Sequence, residues 1–214
     1  SIHRNGITGY AECVPYKRYH ETLESVTAQI VGVPEDFTRA TLYDLLPAGA
    51  ARNALDCALW DLSAKTTGKR AWQLAGLKPP RPEQTAYTLS LAEPKEMRAQ
   101  AEKNRCRPIL KIKLGTADDV PRLEAVREGA PESDIIIDAN EGWSADLYSD
   151  LAPHLLRLGV KLVEQPLPAS EDEALIGITR PIPICADESC HDRMSLAGLS
   201  GKYDVINIKL DKTG

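Results

Sequence analysis

Pro108-Ile109-Leu110-Lys111-Ile112-Lys113-Leu114-Gly115 is an apolar run ending on two lysines one residue apart. Alternate side chains of a β-strand share a face, so Lys111 and Lys113 are expected to project together. Two ammonium groups crowded there lower each other's pKa, one way in which a lysine becomes a base. A solvated strand edge would carry the same motif, and the residues further along the chain decide between them.

Downstream the pattern repeats. The expected strands are Thr85–Leu91, Pro108–Leu114, Asp134–Asp138, Val160–Glu164, Ile182–Ala186 and Asp204–Leu210, each separated from the next by enough chain for a helix. Short β-rich runs alternating with helical patterns imply βαβ units and a parallel sheet. Six consecutive units favour a (β/α) barrel over an open doubly wound sheet, and no G-x-G-x-x-G follows the first strand.

Five successive strands are expected to finish in a charged residue: Lys113, Asp138, Glu164, Asp187 and Lys209, at intervals of 25, 26, 23 and 22 residues. In a barrel all strand C-termini open onto one face, so these side chains should converge there. Three carboxylates, Asp138, Glu164 and Asp187, are hard oxygen ligands suited to Mg²⁺. Without a cation they would not all stay ionised when buried. Lysines on the second and sixth strands of an eight-stranded barrel stand on opposite sides of its axis.

The N-terminal part has a different texture. Ile7 to Val14 reads as a strand, Glu21 to Val31 as a helix, and Ala48 to Lys65 as an amphipathic helix with Ala51, Leu55, Ala58, Leu59 and Leu62 on one face. The loop Tyr16-Lys17-Arg18-Tyr19-His20 would suit either a pocket for an anion or a solvated turn. Pro79-Pro80-Arg81-Pro82 cannot continue a regular element and marks a boundary, giving an N-terminal domain of residues 1–84 and a barrel domain of residues 85–214.

Composition removes several classes of function. A net charge of −5 argues against a nucleic-acid or anionic-membrane surface. No apolar run approaches the roughly 20 residues that span a bilayer, and Ser1 to Gly9 has no signal-peptide pattern. Five cysteines, odd in number and mostly far apart, suit reduced thiols and a cytoplasmic setting. Cys185, Cys190 and His191 contain no C-x-x-C pair and offer no evident fourth zinc ligand.

Taken together, Lys111-Ile112-Lys113, Asp138-Ala139-Asn140, Glu164-Gln165-Pro166, Ala186-Asp187-Glu188-Ser189 and Ile208-Lys209 resemble the enolase superfamily in its muconate-lactonizing subgroup. The helix Ala54 to Leu62 is similar to that subgroup's capping-domain helix. Gly9 to Tyr16, Leu46 to Asn53 and Asn207 to Gly214 resemble bacterial dipeptide epimerases. The resemblance covers nearly the whole chain.

It implies an enolase-type (β/α) barrel with an α+β capping domain. It also implies a Mg²⁺-dependent epimerase of dipeptides such as L-Ala-D/L-Glu, from peptidoglycan turnover, working by 1,1-proton transfer through an enediolate. Lys113 and Lys209 would be the acid–base pair, with Lys111, Asn140, Gln165 and Glu188 in support. Asp138, Glu164 and Asp187 would hold the metal, and Tyr16, Arg18 and Tyr19 would meet the substrate. The same lysines and carboxylates also serve o-succinylbenzoate synthase-like dehydratases and muconate-type cycloisomerases, and a non-catalytic fragment with a binding role is a further alternative. Family members have a further capping strand and loop before the segment that starts at Ser1. They continue after Gly214 through two more barrel strands, so the chain is expected to be part of a longer one. They also often assemble, which leaves a homo-oligomer open.

Overall fold

The computed structural model describes residues 1–213 and divides them into two compact units. The first comprises Ser1–Pro82 and the segment from Ile208 onward; the second is Glu83–Asn207.

The first unit is α+β. Strands β1 (Ile2–Arg4) and β2 (Ile7–Gly9) form an antiparallel hairpin through Asn5-Gly6, both at positive φ, the turn chemistry such a hairpin needs. Helices α1 (Leu23–Gly32) and α2 (Arg39–Leu45) are each opened by a threonine, Thr22 and Thr38, that caps the third backbone N–H of its helix. Helix α3 (Ala50–Thr67) is the centre of this unit. Its Ala51, Leu55, Ala58, Leu59 and Leu62 are buried with Val26, Phe37 and Leu42. Gly9, the last residue of β2, lies directly on α3, where a Cβ would stand 2.1 Å from the Ala58 carbonyl oxygen. The strand was expected to run on to Val14; the residues after Gly9 are irregular instead. Helix α4 (Ala71–Leu74) and, near the C-terminus, helix α8 (Leu210–Thr213) are single turns.

In the second unit, strands β3 (Tyr87–Leu89), β4 (Ile109–Lys113), β5 (Asp134–Asp138), β6 (Val160–Glu164), β7 (Ile184–Ala186) and β8 (Val205–Ile206) form one parallel sheet. Their spatial order is their chain order. A doubly wound sheet reverses direction at a switch point and this one does not, so it is an arc of a singly wound (β/α) barrel. Helices α5 (Pro94–Asn104), α6 (Asp119–Gly129) and α7 (Ala145–Arg157) connect the first four strands. Two five-residue 3₁₀ segments, Asp172–Ile176 and Ser195–Leu199, lie in the later connections.

Strand alternation separates core from site. On β4, Leu110 and Ile112 are fully buried in one cluster with Ile135, Ile137, Leu123, Val126 and Leu155, whereas Ile109, Lys111 and Lys113 are half-buried on the other face. Burying the apolar set is the main stabilising contribution here, at about 1.5–3 kcal/mol per fully buried large aliphatic side chain. The expected strand Asp204–Leu210 is cut to Val205–Ile206. As the last strand in the sheet order, β8 pairs with β7 alone, and its two side chains are exposed.

Candidate active site

The register of the sheet sets the site. Lys113 is the Cα partner of Asp138, and Asp138 of Glu164, so three chemically active side chains stand in one row across β4, β5 and β6. Glu164 pairs with Cys185, and Asp187 directly follows β7, near enough for its charge to raise the Cys185 thiol. Asp138 and Asp187 are 1% exposed and Glu164 5%.

The row is closed by charge-assisted contacts. Lys113 Nζ donates to Asp138 Oδ2 (2.7 Å) and Asn140 Oδ1 (2.6 Å). Asn140 Nδ2 in turn donates to Glu188 Oε1 (3.2 Å). Lys111 Nζ bridges two carboxylates, 2.7 Å from Glu164 Oε2 and 2.8 Å from Asp138 Oδ2. Gln165 accepts the backbone N–H groups of Asp187 (2.9 Å) and Ser189 (3.0 Å) through Oε1. The bends after the strands use uncommon backbone conformations: Asn140, Glu141 and Gln165 all have positive φ, and only asparagine adopts it readily. Such strain gathers at functional sites.

Electrostatics corrects one expectation. The neighbouring lysines were expected to depress each other, but Lys111 is raised. Burial alone would lower it; the hydrogen bonds and charges of Asp138 and Glu164 outweigh that. Glu164 is raised by its own burial and by the charge of Asp138, opposed by Lys111 and Asn207. Cys185 is pushed up to about 12 by burial and by Glu164 and Asp187 beside it, which makes it an inert thiol. The strand ends are therefore rich in negative charge.

Three buried carboxylates, all hard donors, with Glu164 raised by its burial and by the charge of Asp138, fit a divalent cation. Among the described residues no three His, Cys, Asp or Glu side chains converge closely enough to enclose one. The Lys111 ammonium occupies that role between Asp138 and Glu164.

Two residues of the site escaped the sequence reading. Asn207 Nδ2 donates to Glu164 Oε1 (3.0 Å); strand alternation before Lys209 was the available signal. Asp119, fully buried, accepts Gly115 N (2.8 Å), Thr116 N (2.8 Å) and Trp143 Nε1 (2.9 Å) on Oδ2 and joins the β4 and β5 loops. Of the expected site residues, Lys111, Lys113, Asp138, Asn140, Glu164, Gln165, Asp187 and Glu188 all belong to the second unit. Lys209 lies past the end of β8 and belongs to the first unit, contrary to its expected place at a strand end. Tyr16, Arg18 and Tyr19 also lie in the first unit, around a single 3₁₀ turn, with the Tyr16 and Tyr19 rings edge-on at 6.1 Å.

Residues 96–214 match the enolase C-terminal domain-like family, and residues 1–76 match the mandelate racemase / muconate lactonizing enzyme N-terminal domain. The chain belongs to the enolase superfamily.

Among its relatives within the enolase superfamily is the L-Ala-D/L-Glu epimerase of Escherichia coli (strain K12), 44% identical across 100% of this chain and 68% of its own length. An N-acetyl-D-glutamate racemase from Pseudoalteromonas sp is 46% identical over 96% of this chain and 67% of its own. A solved enolase-family structure from Agrobacterium tumefaciens, with homology to dipeptide epimerases and bound sodium and L-Ala-L-Glu, is 52% identical with a TM-score of 0.93. That match covers 98% of this chain and 66% of the other. Other solved dipeptide epimerases of the superfamily hold Mg. The chain thus spans about two thirds of the length of its relatives. It carries the enolase-type fold, and no described helix is long and apolar enough to cross a membrane.

Proposed function

We propose that the protein is a Mg²⁺-dependent epimerase acting on the C-terminal residue of L-Ala-D/L-Glu in peptidoglycan peptide metabolism, in the cytoplasm. The observation that carries this reading is the row Lys113, Asp138, Glu164, in which a lysine stands in register beside buried carboxylates at the strand ends. Asp138, Glu164 and Asp187 would hold the metal. When bound, Mg²⁺ supplies the positive charge that acidifies the α-carbon of a chelated carboxylate.

Lys113 is the group that removes or returns the α-proton, and Lys209 serves the opposite face. Asn140 holds Lys113 Nζ by its amide oxygen and is itself held by Glu188, which aims the ammonium. Lys111 neutralises the Asp138–Glu164 pair. Tyr16, Arg18 and Tyr19 are proposed to meet the substrate side chain.

A second reading shares most of this chemistry. L-Ala-Glu and N-acetylglutamate are both N-acylated glutamates, and the relative named for the latter is as similar as the one named for the former. The test is solvent deuterium incorporation at the glutamate α-carbon with Mg²⁺. Exchange into L-Ala-L-Glu in preference to N-acetylglutamate supports the epimerase; the reverse preference selects the racemase. Exchange into neither rejects both and favours the dehydratase, cycloisomerase or non-catalytic alternatives. Lys113→Ala should lower exchange by about 10²–10⁴-fold.

A further inference from the structure

Behind the turns that come after β6 and β7 lies a buried polar network. Asp172, at the start of the 3₁₀ segment after β6, is 4% exposed. Its Oδ1 accepts from Lys202 Nζ at 2.6 Å. Its Oδ2 accepts from Ser189 Oγ at 2.7 Å and from Tyr203 OH at 3.0 Å. Gln165 Nε2 lies 2.9 Å from Ser189 Oγ, 2.8 Å from Tyr203 OH and 2.9 Å from the Leu167 carbonyl oxygen.

Counting protons gives this network a direction. An ionised carboxylate only accepts, and Ser189 Oγ also lies 2.9 Å from Tyr203 OH, so the two hydroxyl protons run toward Asp172, directly or one hydroxyl through the other. Of the two Gln165 amide hydrogens, one meets the Leu167 carbonyl oxygen and the other meets the lone pairs left on the two hydroxyl oxygens. That fixes which way the amide points: Nε2 toward the hydroxyls, and Oε1 toward the backbone N–H groups of Asp187 and Ser189, which it accepts at 2.9 and 3.0 Å. The opposite orientation would set an NH₂ group against two backbone N–H donors, in a place where Gln165 is fully buried.

We propose that Asp172 is a positioning residue for the metal site. Its charge orients the Gln165 amide through Ser189 and Tyr203, and the Gln165 oxygen then holds the Asp187 turn so that the Asp187 carboxylate can ligate. This rests on the reading that Asp187 is a ligand to Mg²⁺. Outer contacts of this kind typically account for 10–100-fold in metal affinity.

The test is Mg²⁺ titration of the full-length protein by calorimetry, with Mn²⁺ binding followed by electron paramagnetic resonance as a readout independent of turnover. Asp172→Asn should weaken Mg²⁺ about 10–100-fold. Ser189→Ala keeps the Asp172–Lys202 pair, so it carries the test should Asp172→Asn fail to fold; it should weaken Mg²⁺ by a smaller factor in the same direction. Tyr148→Phe, whose hydroxyl takes no part in the network, should leave Mg²⁺ affinity unchanged. An unaltered protein that binds Mg²⁺ while both Asp172→Asn and Ser189→Ala bind it equally well overturns the inference alone. An unaltered protein that binds no Mg²⁺ overturns the metal reading, and this inference with it.

Discussion

Lys111 and Lys113 share a strand face but face different demands. Lys113 is 35% exposed at its side chain and touches one carboxylate and one amide, which leaves it able to exchange partners. Lys111 is more buried, at 19%, and lies between two carboxylates that would otherwise repel each other. Removing one partner of a buried ionic set leaves uncompensated charge, at a cost of about 3–5 kcal/mol. Lys111→Met should therefore destabilise the protein by about that amount in the presence of EDTA. A cation replaces the missing charge, so Mg²⁺ should raise the thermal midpoint of Lys111→Met by more than it raises that of the unaltered protein. Equal midpoints in EDTA, or an equal response to Mg²⁺, would show that Lys111 does not neutralise this pair.

Single positions also control the approach of whole elements. The loops after β4 and β5 touch through their backbones: a Cβ on Gly142 would stand 2.6 Å from Gly115 Cα and 2.7 Å from the Gly115 carbonyl oxygen. Asp119 clamps the same pair of loops from behind. Gly142→Ala must push these loops apart and should cost about 1–3 kcal/mol, the usual penalty of overpacking. Deuterium exchange at the substrate α-carbon should fall as well, because Lys113 and Asp138 sit at the roots of those loops. Chemical denaturation and deuterium exchange measured on one preparation check this; an alanine variant with normal stability and normal exchange refutes it. The sequence made some of this visible and hid the rest. Ile135-Ile136-Ile137 before Asp138, and Leu162-Val163 before Glu164, mark strands that end on a charge because burial there is nearly continuous, and both strands run over the expected residues. Asp119 was invisible because an acidic residue in the first turn of a helix looks alike whether it faces water or gathers five donors. The left-handed turns at Glu141 and Gln165 were equally hidden, since neither residue type advertises positive φ.

Across the whole molecule, the buried phenols and thiols set an alkaline limit to stability. Tyr148 is fully buried, its hydroxyl has no hydrogen-bond partner among the described residues, and burial pushes it up to about 12, with Asp204 adding to this and Arg180 opposing it. Tyr203 is raised by burial and by Asp172, and Cys185 is raised to about 12. Each group is neutral in the folded protein at a pH where the unfolded chain already releases its proton. The unfolded thiol titrates near ~8.5 and the unfolded phenols near ~10. The stability these groups contribute is fully present below those values and is lost progressively as the pH rises toward 12, because there the folded state binds more protons. Urea unfolding measured from neutral pH upward should show stability falling from about pH 8.5 and more steeply from about pH 10. Replacing a lone buried hydroxyl by hydrogen keeps the shape and removes an unpaired group, so Tyr148→Phe should be neutral or slightly stabilising at pH 7. Above pH 10 it should lose stability less steeply than the unaltered protein, because one of the groups that titrates only on unfolding is gone. Parallel pH profiles for the two proteins, or tyrosinate absorbance from Tyr148 in the folded state near pH 10, would show that this phenol reaches water without unfolding.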